Sequence, residues 1–269
     1  MDAFAQYVSL GDSMSIDLYP ALDAGATDAS VALERDPAAG YVAPIGAASL
    51  LLRNDEARWP DAREDDLSRR YPGVAFLGLA SSGATIGDVF SEQLALLPES
   101  DDPTLVTLTI GSEDIFSAFA SNPRRRLLDR IVADLTEAYD VLLSAIRTAR
   151  PRSLVLLTTV CDPSDRMGRI PGILDNVGVL PLSALDAING HLRRIASSAA
   201  GVALADAYLS FLGHGASVPE SDRWYWHRSP LEPNARGAHE LRRVWLATLC
   251  RVVGQFTRPS GAGRGPALQ

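Results

Sequence analysis

Five short apolar runs recur along the chain: Ala5 to Leu10 ("AQYVSL"), Gly73 to Ala80 ("GVAFLGLA"), Leu105 to Ile110 ("LVTLTI"), Ser153 to Val160 ("SLVLLTTV") and the weaker Gly201 to Ala207 ("GVALADA"). They are continuous rather than alternating, the pattern of strands covered on both faces in a parallel sheet. Longer stretches between them repeat apolar residues at helical spacing. "IGDVFSEQLALL" follows the second run, and "RRLLDRIVADLTEAYDVLLSAIRTA" follows the third and stops at Pro151. "PLSALDAINGHLRRIASSA" precedes the fifth run, and "EPNARGAHELRRVWLATLCRVVGQF" comes last. Strand and helix alternating in this way predict a doubly wound, three-layer α/β/α sandwich with about five parallel strands and right-handed crossovers.

Residues 21–70 break the rhythm. They are too long for a simple strand-to-helix connection and are expected to form a helix over Ala43 to Arg53 and a flap above the strand ends. No linker-like stretch divides the chain, so one domain is expected over residues 1–256. The Gly/Pro-rich residues 257–269 are expected to be disordered.

Composition narrows the function. The 269 residues carry a formal net charge of −8, and no lysine is present. Such a surface repels nucleic acid and anionic membranes, so neither is an expected partner. Cys161 and Cys250 lie far apart, outside any metal-ligand spacing, and read as free thiols. No basic stretch leads into an apolar one at the N-terminus, and no apolar run reaches membrane-spanning length, so a cytoplasmic location is expected.

Open α/β sheets bind ligands at the carboxyl ends of their strands. The segments there are Gly11-Asp12-Ser13, "SSGAT" with Gly83, "GSED" over Gly111 to Asp114, and "SPLEPNARGA" before the last helix. Taken alone, each has a plain reading. Ser13 suits a helix cap. Gly83 suits a turn, and Glu113 and Glu232 suit acids near helix N-termini.

Taken together, "GDSMS" after an N-terminal strand, "SGATIGDV", "TIGSEDIF" and "PNARGA" resemble the SGNH, or GDSL-type, hydrolase family. The resemblance runs from Gly11 to Gly237. It implies a flavodoxin-like fold, cleavage of an ester of a small molecule, and no metal or organic cofactor. It also implies that Ser13 is the nucleophile and that the Ser13 and Gly83 N–H groups belong to an oxyanion hole. Three positions depart from the family pattern. Glu113 stands where the family has an oxyanion-hole asparagine, Ser229 where it has an aspartate, and Glu232 where it has the histidine base.

These departures leave the base open. A carboxylate starts ~2 pKa units below imidazole, about 3 kcal/mol of proton affinity that burial must supply. Glu113 could serve an oxyanion only if protonated. Two carboxyls beside Ser13 could share one proton, with Glu113 neutral and Glu232 charged. The candidates for the base are Glu232, then His227 in "WYWHRS", then His214 in "FLGHG", with Asp222, Asp206 or Glu220 to orient a ring. A binding or scaffolding domain that has lost hydrolytic machinery is the competing expectation.

Overall fold

The first apolar run forms β1, Gln6–Gly11, the strand on which the sheet is organised. It pairs in parallel with β2 (Ala75–Gly78) on one side and β3 (Thr104–Thr109) on the other. β4 (Ser153–Thr158) and β5 (Val202–Ala205) extend the sheet beyond β3, giving the order β2-β1-β3-β4-β5. The structure, a computed structural model, describes residues 4–26, 44–121, 125–171 and 179–256. The expected tail beyond residue 256 lies outside them.

Side chains alternate across the strands, so each strand feeds two cores. Val8, Leu10, Val106, Leu108, Val155 and Leu157 face one side. There they meet Tyr139, Leu142 and Ile146 of one long helix and Leu185, Ile188 and Leu192 of another. Tyr7, Leu105, Leu154, Leu156 and Ala205 face the other side, against Trp245, Leu241 and Leu249 of the last helix. This is the predicted three-layer sandwich.

The helices are α1 (Leu18–Asp23), α2 (Ala47–Leu52), α3 (Leu67–Arg70), α4 (Ile86–Asp88), α5 (Ser112–Ser121), α6 (Arg125–Ala149), α7 (Leu182–Ser198), α8 (Ala207–Phe211) and α9 (Ala235–Phe256). Several bounds differ from the periodicity. β2 is an edge strand that keeps only the four residues paired with β1. The helix expected from Ile86 to Leu97 is broken: α4 gives way to a π-turn at Val89–Gln93 and a 3-10 turn at Leu94–Leu96. The pattern that seemed to start the last helix at Glu232 starts at Ala235 instead. Ser229–Pro233 forms β7, antiparallel to β6 (Tyr225–Trp226).

The described part of residues 21–70 is scaffold rather than flap. Ala47, Ala48 and Leu51 of α2 join the core beneath α9. Asp17 accepts hydrogen bonds from Gly46 N–H (2.7 Å) and Ser49 Oγ (2.8 Å), tying α2 to the segment after β1. Ala43, the expected start of that helix, lies outside the described residues. Among the described residues no helix is long and apolar enough to cross a membrane.

Candidate active site

β1 and β3 sit side by side while their crossovers leave in opposite directions, which opens a crevice at their carboxyl ends. Gly11 lies at this point with φ +115°, and a Cβ there would fall 1.6 Å from the Thr109 carbonyl oxygen. Glycine alone fits. Both backbone groups of Gly11 are held by one side chain. Its N–H donates to Gln93 Oε1, and Gln93 Nε2 donates to its carbonyl, each at 2.8 Å. Gln93 is buried at the end of the π-turn, so the irregular helix delivers this grip.

Asp12 follows, fully enclosed. Its N–H donates to Thr109 O (2.7 Å), and its carboxylate accepts from Met14 N–H (3.1 Å) and Ser112 Oγ (2.9 Å). Burial pushes this carboxyl up, and those hydrogen bonds pull it part of the way back. Ser13 is 8% exposed and caps no helix, because α1 begins five residues on with Asp17 at its cap position. No backbone hydrogen bond among the described residues uses the N–H of Ser13 or of Gly83. Gly83, at φ +70°, stands in the loop after β2. Its loop is fixed by the Thr85–Asp88 capping box and by Asp114, whose two oxygens accept from Ile86 N–H at 3.2 Å. Asp114 thus ties α5 to α4. Burial raises its carboxyl to about 6, with Asp12 and Asp88 also pushing it up against the hydrogen bonds.

Gly111 repeats the device of Gly11 after β3, at φ +108° with the Tyr139 hydroxyl 2.2 Å from where a Cβ would sit. It lets α5 start at once and brings Glu113 to the crevice. Glu113 Oε1 accepts from Ser117 Oγ (2.6 Å) one turn later, so this oxygen is an acceptor. The loop after β4 is gripped as β1 is. Val160 N–H donates to Asn189 Oδ1 (2.8 Å), and Asn189 Nδ2 donates to Val160 O (2.9 Å).

These loops and the β6–β7 hairpin enclose a cavity of about 60 Å³, lined by residues that include Asp12, Ser13, Gly83, Glu113, Tyr225 and Glu232. Ser13 and Glu232 share this lining. Burial raises the Glu232 carboxyl to about 7; Ser13 pulls it down, and Asp12 and Glu113 push it up. Among the described residues Glu232 Oε2 has no hydrogen-bond partner. Asn234 holds the hairpin in place: its Nδ2 donates to Arg223 O (2.8 Å), and its Oδ1 accepts from Gly237 N–H (2.8 Å) at the start of α9.

The structure therefore gathers Ser13, Gly83, Glu113 and Glu232 around one cavity. The two candidate histidines stand elsewhere, and neither lines it. His227 is half-exposed, with Nδ1 3.8 Å from Glu220 Oε1. His214 stacks on Trp224 at 3.7 Å and holds the Asp222 carbonyl through Nδ1 at 2.9 Å. Asp206 pairs with Arg193 and accepts from Leu209 N–H in α8. Sequence reasoning missed Gln93 and Asn189. The available signal was an amide inside an apolar helical pattern.

A family model described as the GDSL-like lipase/acylhydrolase family matches residues 38–239, a span that begins after Ser13. No curated protein matches the sequence. Among solved structures, an extracellular lipase from Streptomyces rimosus is similar at 22% identity and a TM-score of 0.54, over 90% of this chain and 99% of that one. A phospholipase A1 from Streptomyces albidoflavus NA297 gives 22% and 0.52, over 91% and 100%. A lipase/acylhydrolase from Enterococcus faecalis gives 16% and 0.51, over 96% and 99%. These likenesses show the fold. With the family match over most of the sequence, they establish that the chain belongs to the GDSL-like lipase/acylhydrolase family.

Proposed function

We propose that this protein hydrolyses a carboxylic ester through a Ser13 acyl-enzyme, with Glu232 as the base. The observation that carries this reading is that Ser13 and Glu232 line one cavity, where the Ser13 hydroxyl bears on the Glu232 carboxyl. Burial supports it, because it raises this carboxyl to about 7, into the range of an ordinary imidazole.

In the first half-reaction Ser13 Oγ bonds to the ester carbonyl carbon as its proton passes to Glu232. The N–H groups of Ser13 and Gly83, unused by the backbone, receive the oxyanion. The carbon–alkoxy bond then breaks, and the proton on Glu232 leaves with the alcohol. In the second half-reaction water attacks the acyl carbon and gives its proton to Glu232. The acyl bond to Oγ breaks, and that proton returns to Ser13. Glu113 supplies no donor through the oxygen that accepts from Ser117. The oxyanion hole of this reading therefore rests on two backbone groups.

A fluorophosphonate probe tests the reading. The wild type is expected to label, and Ser13→Ala to lose the label. Glu232→Gln should label about 10²–10⁴-fold more slowly, the usual contribution of a general base. Absence of labelling between pH 6 and 9 would instead favour a domain that binds without hydrolysing.

A further inference from the structure

Resting on that hydrolase reading, we propose that the ester cleaved carries an ammonium group close to its scissile carbonyl, in the first instance an aminoacyl ester. Three acidic residues, Asp12, Glu113 and Glu232, line the cavity, and among the described residues no arginine or histidine does. A fatty-acyl or phosphorylated substrate gains nothing from such a wall, and an anionic group would be repelled by it.

A second observation is independent of the charges. Tyr225 is 2% exposed and lines the cavity, yet among the described residues its hydroxyl has no hydrogen-bond partner of ordinary geometry. Only the Cys161 thiol, a weak donor and acceptor, stands beside it. Buried polar groups left in this way await a partner. Glu232 Oε2, without a partner among the described residues, can accept from an ammonium, and Tyr225 Oη, which can donate as well, can accept from it too. An N–H-bearing ammonium can supply several donors, whereas a quaternary ammonium can supply none. Phe116 and Tyr225 add aromatic residues to the same lining. Glu113 acts here as the group that receives the cation, which gives a role to the residue that replaces the oxyanion-hole asparagine.

The test compares kcat/KM for alanine ethyl ester with that for ethyl propionate, each divided by its own rate of alkaline hydrolysis. A second pair, acetylcholine and 3,3-dimethylbutyl acetate, places a quaternary cation on the alcohol side. The first pair is expected to favour the cationic ester by about tenfold or more at low ionic strength, which is about 1.4 kcal/mol. Glu113→Gln should reduce that ratio several-fold, and Glu113→Asp should keep part of it. A ratio at or below one for the first pair overturns the proposal, as does a preference confined to acetylcholine. Alaninamide binding to Ser13→Ala, followed by titration calorimetry, separates the two readings. Binding that weakens with Glu113→Gln upholds the cation site even where fluorophosphonate labelling has failed. No binding overturns it even where labelling succeeds.

Discussion

At Glu232 the burial that would suit the carboxyl to the proposed role of base also weakens the fold at alkaline pH. Its folded-state value of about 7 lies above the ordinary 4.5. Between these values the folded chain holds a proton that the unfolded chain has released. The stabilisation is therefore complete below pH 4.5, declines as pH rises, and is gone above about 7. The full displacement is worth about 3 kcal/mol, an upper figure because the side chain is partly exposed. Glu232→Gln should consequently raise Tm by about 3–8 °C at pH 8 and change it little at pH 4, as read by scanning calorimetry. The same variant should lose labelling, whereas Glu232→His should retain it. Labelling of the wild type should climb as pH rises through 7, as the base ionises. A variant that is both destabilised at pH 8 and fully reactive would contradict this account.

Among the elements, the π-turn at Val89–Gln93 does most to place the serine. Gln93→Leu keeps the volume but leaves the Gly11 N–H buried without its partner, while Gly11 O still accepts from Ser81 N–H at 3.0 Å. A loss of about 1–3 kcal/mol in urea denaturation is expected, with slower labelling of Ser13 as β1 loosens. Gly111→Ala should cost more than about 2 kcal/mol, since the left-handed backbone and the Tyr139 hydroxyl both oppose a methyl group there. This scale also marks what could be read beforehand. The strands and long helices were visible because their burial is written in local periodicity. The break after α4 was not, because it answers to a glycine 82 residues away. Nor was β7, whose Pro230 and Pro233 suggest a helix start until Tyr225 and Trp226 pair with it.

For the whole molecule, the order β2-β1-β3-β4-β5 converts five separated segments into one rim. That is why Ser13, Gly83, Glu113 and Glu232 could be named together from their positions after strands. Which of Glu232, His227 and His214 faces the serine could not be read. It depends on hairpin register and on the stacking of His214 against Trp224, both of which are tertiary. Trp245 joins the layers from the opposite side, fully buried with its N–H on Thr158 Oγ1 at 2.9 Å. Trp245→Ala should cost about 3–5 kcal/mol in global stability, measured by chemical denaturation. The net charge of −8 acts at this scale as well. Raising salt should lower kcat/KM for an ammonium-bearing ester more than for its neutral analogue. Finally, the idle N–H groups of Ser13 and Gly83 have a consequence for hydrogen exchange. Among the described residues these two amides have no backbone acceptor, and so no such bond to break before deuterium enters, whereas the neighbouring Asp12 amide must leave Thr109 first. A phosphonate adduct on Ser13 would put a tetrahedral oxygen between the two, and both should then become slow together. The oxyanion hole would appear as a pair of amides that gain protection only when the reaction is caught midway.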